Sequence, residues 1–371
     1  MISTAVEPRI TEYLYQKAAA AGVPLSGTFE LTPVCNMDCK MCYVRLSKVQ
    51  QESIAPLKSA EQWLDLGERA KQAGMLYLLL TGGEPFSHPQ FRQIQEGLHR
   101  MGLLISINSN GTMIDEATVQ WLKNCPPVRI NISIYGASDE MYSRLCGNPK
   151  GFTQVCQAID LLQQAGIPVK LNCSLTPDNA SQLEEMINFA KEKRLPIQVA
   201  GYMFPPSRKG EFAPSEFFRL TPEEAARYTA YSEYLLLGKE KFLERGCQSV
   251  LLSDPEEACR DTGDVMRCRA GRCSFWITWQ GNMTPCGMFP ETDVSNVFEE
   301  DFEILWNKVK AQVAQIRLPA TCDACSAKYL CRACGAMVLT ENGDFTKVPQ
   351  YRCQMMQAYP HQWQRIKEEI K

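Results

Sequence analysis

The sequence predicts an α/β protein organised around a parallel sheet, and three observations carry that expectation. Short apolar runs and amphipathic helical stretches alternate six times up to about residue 205, the rhythm of βαβ crossovers. One run, Met75–Leu80, passes directly into the glycine-rich loop Thr81-Gly82-Gly83-Glu84-Pro85; open α/β folds bind ligands at such carboxyl ends of strands. The chain has 371 residues, enough to bury a large core and carry an appendage. Periodicity alone leaves an open doubly wound sheet and a partial barrel equally open.

The candidate strands, in order, are Gly27–Thr32, Met75–Leu80, Leu103–Asn108, Val128–Ile134, Pro168–Leu175 and Pro196–Tyr202. Among them, Met75–Leu80 (MLYLLL) is an apolar run too short to be a helix. Between them, Ser59-Ala60-Glu61-Gln62 reads as a capping box, with Trp63, Leu66, Ala70 and Ala73 forming a helical stripe and Gly74 a stop. A second stripe, Leu183, Met186, Ile187 and Ala190, follows Asp178-Asn179-Ala180-Ser181. Pro205-Pro206-Ser207-Arg208-Lys209-Gly210 signals a linker. A helix is expected after it, from Thr221 to about Arg245, with proline in its first turn. The resulting division is an N-terminal segment (1–26), an α/β body (27–205), a helical bridge (206–262) and a cysteine-rich region (263–371).

Composition excludes several classes. With 39 basic and 42 acidic residues, a net charge of −3 offers no electrostatic footprint for nucleic acid or an anionic membrane. No apolar stretch approaches the roughly 20 residues of a membrane span. Glu7, Arg9, Glu12 and Lys17 interrupt the N-terminal alanine run, so no signal-peptide core forms. Seventeen cysteines in so long a chain read as metal ligands in a reducing, cytoplasmic setting, because disulfide frameworks belong to short exported chains. With only His88, His99 and His361, mixed Cys/His zinc sites are not the plan.

Cys35, Cys39 and Cys42 form a CxxxCxxC triplet with no fourth cysteine close behind. A structural zinc site wants four ligands, commonly built as two pairs, and the spacing differs from the ferredoxin run. A [4Fe–4S] cube on three cysteines leaves one iron free to bind a soluble partner. The triplet, with Gly82-Gly83-Glu84-Pro85 some 40 residues on, resembles the radical SAM superfamily. That resemblance implies a partial (β/α)6 barrel, S-adenosylmethionine (SAM) at the strand ends, and reductive cleavage to a 5′-deoxyadenosyl radical. By position it also implies SAM contacts at Gly82, Gly83, Glu84, Pro85, Ser133 and Arg144. Met41 stands where an aromatic residue usually lies against adenine, and its thioether can pack there too. Tyr135 stands where the family often has Asp.

A second cysteine field comprises Cys268, Cys273, Cys286, Cys322, Cys325, Cys331, Cys334 and Cys353. Thiolates favour both zinc and iron–sulfur clusters, so two four-thiolate zinc sites are the chemical alternative. Spacing alone would place Cys322, Cys325, Cys331 and Cys334 on one metal. The pattern resembles the SPASM extension of radical SAM enzymes, with two residues instead of three between Cys331 and Cys334. The resemblance implies two auxiliary [4Fe–4S] clusters, three clusters in all. One would take Cys268, Cys273, Cys286 and Cys334, the other Cys322, Cys325, Cys331 and Cys353. Cys259 is an alternative to Cys273. Cys125, Cys146, Cys156, Cys173 and Cys247 read as small buried hydrophobes.

SPASM enzymes resembling this chain mostly modify peptides, so the expected substrate is a peptide or protein, oxidised to a crosslink or thioether. A reductant such as flavodoxin or ferredoxin is expected, and a separate leader-binding protein is one route to substrate recognition, since little chain precedes Gly27. Sulfatase-maturing members carry an acidic residue directly after the cysteine matching Cys286; here it is Gly287, which counts against formylglycine formation. A small-molecule dehydrogenase or epimerase, and a non-enzymatic electron carrier or zinc protein, are the alternative readings.

Overall fold

The computed structural model describes residues 10–206, 208, 218–249, 266, 268–289, 296–325, 327–331 and 333–370. The six expected strands form as β1 (Ser26–Glu30), β2 (Tyr77–Thr81), β3 (Leu104–Ser109), β4 (Arg129–Ser133), β5 (Val169–Ser174) and β6 (Ile197–Ala200). They lie side by side in chain order, each parallel to the next. A doubly wound sheet reverses direction at a switch point. Here nothing reverses, so right-handed crossovers put every helix on one face and the sheet curls into a partial barrel. Strands β1 and β6 do not pair with each other, so the barrel stays open along one side.

The helices are α1 (Ile10–Ala21), α2 (Lys48–Ile54), α3 (Ala60–Gln72), α4 (Phe91–Arg100), α5 (Glu116–Leu122), α6 (Asp139–Cys146), α7 (Gly151–Gln164) and α8 (Leu183–Glu192). The expected capping box at Ser59 is present: its side chain accepts from the Gln62 amide, and the Gln62 side chain accepts from the Ser59 amide. Trp63, Leu66 and Ala70 are fully buried, with Trp63 5.2 Å from the Phe29 ring of β1. Alternation along the strands divides core from lumen. Phe29, Leu80, Ile107, Ile132 and Leu171 are wholly buried, whereas the alternate residues Asn108, Asn131, Ser133 and Asn172 are polar. Asn108 lies opposite Asn131, and Ser133 opposite Asn172, in the strand register.

Among its described residues the bridge contains two helices where one was expected: α9 (Pro222–Leu237) and α10 (Lys239–Ser249). Gly238, at φ 77° and ψ 164°, ends α9 in a positive-φ conformation that side chains rarely adopt. Ser207, Lys209 and Gly210 of the linker signal, and Cys259, lie outside the described residues.

The cysteine-rich region is continuous with the barrel. Strand β7 (Ser274–Ile277) pairs parallel with the free edge of β1, and β8 (Met283–Thr284) pairs antiparallel with β7. Gly281 turns between them at φ 103°; a Cβ there would stand 2.5 Å from both Asn296 and Phe298. Helices α11 (Phe302–Gln315), α12 (Ala320–Asp323), α13 (Lys328–Cys331), α14 (Gly335–Asn342) and α15 (Gln350–Glu369) follow. The last returns to the bridge, stacking Trp363 on Phe242 at 4.9 Å and bonding Tyr359 to Glu233. Among the described residues no helix is long and apolar enough to cross a membrane.

Candidate active site and cysteine centres

The triplet sits on the loop leaving β1, at the carboxyl end of the sheet. The end of α6 anchors that loop: the Asp38 amide donates to the Cys146 carbonyl at 2.9 Å and the Lys40 amide to the Leu145 carbonyl at 3.1 Å. Backbone amides also point at the sulfurs. Met37 N lies 3.4 Å from Cys35 Sγ, and Arg45 N lies 3.3 Å from Cys42 Sγ. Burial pushes the Cys35 thiol up to about 12; the Met37 amide opposes this, while the nearby charges of Glu84, Cys39 and Cys42 add to it. The Cys39 thiol is raised chiefly by a hydrogen bond with Cys146, then by burial. Cys146 is thus buried as expected, and directly beside the triplet. Sulfurs crowded together away from water resist ionising alone, and a bound cationic centre removes that resistance while releasing protons.

The glycines of the second motif serve the loop contact. Gly83 N donates to the Thr32 carbonyl at 2.6 Å and Glu84 N to the Val34 carbonyl at 2.9 Å. A Cβ on Gly82 would stand 2.4 Å from the Thr32 oxygen, and one on Gly83 2.5 Å from that of Pro33. No side chain fits, so the loop closes against the segment entering the triplet.

Glu84 is fully buried. Its Oε1 accepts from Ser109 Oγ at 2.9 Å and Phe86 N at 3.2 Å, and its Oε2 from Asn110 N at 2.7 Å. Asn110 continues the network, donating to Asn36 Oδ1 at 2.8 Å with Cys35 Sγ at 3.6 Å. The side chain expected at SAM therefore ties the β2 and β3 loops to the triplet, leaving the Gly82–Pro85 backbone for a ligand. Sequence reading missed Asn110, although Ser109-Asn110-Gly111 at a strand end was a visible turn signal.

Burial pushes the Glu84 carboxyl from its ordinary 4.5 up to about 7, against the pull of the three donors. The folded protein then holds a proton that the unfolded chain has released. The stability linked to this group is full below about 4.5 and is lost as pH rises through about 7. The cluster-free protein should lose on the order of 3 kcal/mol over that window. Melting temperatures of Glu84→Gln against wild type at stepped pH check this: the variant should flatten the slope there, and an unchanged slope assigns it elsewhere.

Arg144 is half exposed, donating from Nη2 to the Asp178 carbonyl at 2.8 Å. Lys40 Nζ lies 2.8 Å from Asp178 Oδ2, so a second cation from within the triplet joins Arg144 at the rim. The sequence offered no pairing signal for Lys40 and Asp178. Ser133 ends β4 beside the lumen asparagines, where Asn131 Nδ2 donates to Asn108 Oδ1 at 2.8 Å. Met41 is buried within the barrel's core cluster. Tyr135 lies close enough to the triplet for the Cys39 and Cys42 charges to act on it; its phenol is held well above the usual range, chiefly by burial.

The other eight cysteines form two neighbourhoods. Burial pushes Cys286 up to about 12, with Cys334 and Cys268 acting on it, and Cys334 to about 11, with Cys268 again acting. Cys273 is raised by burial and by Cys268. Separately, Cys353 is raised to about 11 by burial, then by Cys331, Cys322 and Cys325. Cys334 is the N-cap residue of α14, and its side chain makes no cap hydrogen bond; a helix N-terminus favours thiolate. Among the described residues no three Cys, His, Asp or Glu side chains converge tightly enough for one metal ion. Clustered thiols of this kind are the donors that iron–sulfur centres use.

Comparison with known proteins agrees. The radical SAM superfamily domain matches residues 29–190, and the SPASM iron–sulfur cluster-binding domain matches residues 268–335. The chain is 22% identical to the AdoMet-dependent heme synthase of Methanosarcina barkeri over 90% of its own length and 97% of that protein. It is 25% identical to AlbA, the antilisterial bacteriocin subtilosin biosynthesis protein of Bacillus subtilis, over 86% of its own length and 69% of the relative. Among solved structures, Streptococcus suis SuiB bound to precursor peptide SuiA superposes with a TM-score of 0.67 at 16% identity, covering 95% of this chain and 84% of SuiB. With an open three-cysteine loop at the mouth of a partial barrel and a cysteine-rich extension on its sheet, the chain belongs to the radical SAM superfamily and carries a SPASM domain.

Proposed function

We propose that this enzyme oxidises a peptide substrate. Three [4Fe–4S] clusters are assigned: one on Cys35, Cys39 and Cys42, and two on the four-cysteine sets of the SPASM region. The first, when bound, supplies the electron that cleaves SAM to a 5′-deoxyadenosyl radical; the protein contributes aim and exclusion of side reactions. Gly82–Pro85 present backbone atoms to SAM, Ser133 and Asn172 line the lumen above Asn131, and Arg144 with Lys40 supplies positive charge at the rim. One observation carries the proposal: two complete four-thiolate sets beside an open triplet, a pairing suited to taking an electron away from substrate. AlbA, named for bacteriocin biosynthesis, and SuiB, solved with its precursor peptide, favour a peptide. The match across nearly all of a heme synthase supports a second reading, a small-molecule substrate. Formylglycine formation is disfavoured by Gly287.

The test is anaerobic turnover with SAM and reductant against a short precursor encoded beside this gene, with a sulfatase-derived Cys or Ser peptide as control. Mass spectrometry should show the precursor lighter by two hydrogens and no formylglycine. An epimer of unchanged mass, or conversion of the sulfatase peptide, would overturn the proposal.

A further inference from the structure

Between the Cys42 loop and the Cys286 segment lies a buried ion pair with no part in the chemistry described above. Glu30, the last residue of β1, is 1% exposed. Arg208 clasps it, Nη1 to Oε2 at 2.5 Å and Nη2 to Oε1 at 2.8 Å. The two residues are 178 positions apart, and Arg208 follows β6, so the pair joins the two strands that leave the barrel open. Trp276 of β7 donates from Nε1 to Glu30 Oε2 at 3.2 Å. The Arg208 guanidinium lies 6.0 Å from the Tyr43 ring centroid. Tyr43 directly follows Cys42, and the Trp276 indole lies against Gly287, the residue after Cys286, which places this group beside both thiol sets. A buried ion pair is a poor source of stability, since apolar replacements often do as well or better. Its place at the mouth of the barrel calls for a different role.

Gly287 indicates which. A Cβ at that position would stand 2.8 Å from two atoms of the Trp276 indole, so the ring occupies the space of any side chain there. The acidic residue of sulfatase-maturing members thus has no room after Cys286. The indole that displaces it is hydrogen-bonded to another carboxylate, that of Glu30.

We infer that Glu30 takes the substrate proton in the oxidative step, with Arg208 as its countercharge and Trp276 as its fixing donor. The inference rests on the functional reading above. Joining two substrate atoms removes two hydrogens. One leaves as a hydrogen atom to the 5′-deoxyadenosyl radical, itself made from SAM and one supplied electron. The second leaves as a proton to Glu30, and its electron passes to an acceptor of the iron–sulfur class. The guanidinium covers both oxygens, so the substrate proton replaces one of its two N–H donors.

Glu30→Gln keeps the size and removes the base. Bound iron and sulfide, 5′-deoxyadenosine and oxidised peptide are measured together. Iron and deoxyadenosine should stay within about twofold of wild type, while product per deoxyadenosine falls roughly 10²- to 10⁴-fold. Should the Gln variant lose its iron, Glu30→Asp decides, because it keeps the charge against Arg208 and withdraws the oxygens by one methylene. Its product per deoxyadenosine should fall about tenfold or more with iron retained. An unchanged ratio in a variant that retains iron overturns the assignment while the functional reading stands. A wild-type enzyme that cleaves SAM yet leaves the precursor's mass unchanged overturns the functional reading, and Glu30's role with it.

Discussion

Replacing Cys35, Cys39 and Cys42 together by Ala should abolish reductive SAM cleavage while the SPASM region keeps its iron. The triplet's loop is secured by bonds that do not involve the sulfurs: Asp38 and Lys40 to the end of α6, and Gly83 and Glu84 to Thr32 and Val34. The substituted loop therefore keeps its backbone while losing every ligand. Burial raises the Cys35 thiol and a hydrogen bond with Cys146 raises that of Cys39, so those two positions give up no favourable ionisation in the metal-free site. With dithionite and SAM, deoxyadenosine should fall to background, and iron should drop from about twelve to about eight per chain, four per cubane. Wild-type deoxyadenosine from the triple variant would remove the triplet from the chemistry.

The second large effect concerns Cys334. Spacing pairs it with Cys331, whereas the proposed assignment groups it with Cys268, Cys273 and Cys286. Cys334→Ala should then cost about four irons, and adding Cys286→Ala should cost no more, because both ligate one centre. Adding Cys353→Ala should instead cost about four further irons. The reverse pattern would restore the assignment by spacing. Iron near four with zinc near two in the wild type would mean that the SPASM thiolates hold zinc.

Strand positions were legible because a buried parallel strand leaves a local trace, a short apolar run closed by turn residues. The helix breaks were less so: Gly238 divides α9 from α10 because its backbone takes a positive φ, and one glycine within a helical pattern does not announce that. Strand β7 went unread for a related reason. Ser274–Ile277 is four residues long, and only the vacant edge of β1 makes it a strand.

By itself the sequence determined the chemistry. Cysteines at ligand spacing and a glycine-rich strand end already marked the radical SAM and SPASM domains, since ligand type and short spacings are local properties of a chain. Tertiary structure decided how those parts are used. It bonded Glu84 to Ser109 and Asn110 across two loops, placed Lys40 beside Arg144 on Asp178, and set Cys334 at the start of α14. It also closed Arg208 over Glu30 from the far side of the barrel. These are meetings of residues far apart in the chain or positions at a helix cap, and they exist only once sheet register and packing bring their elements together.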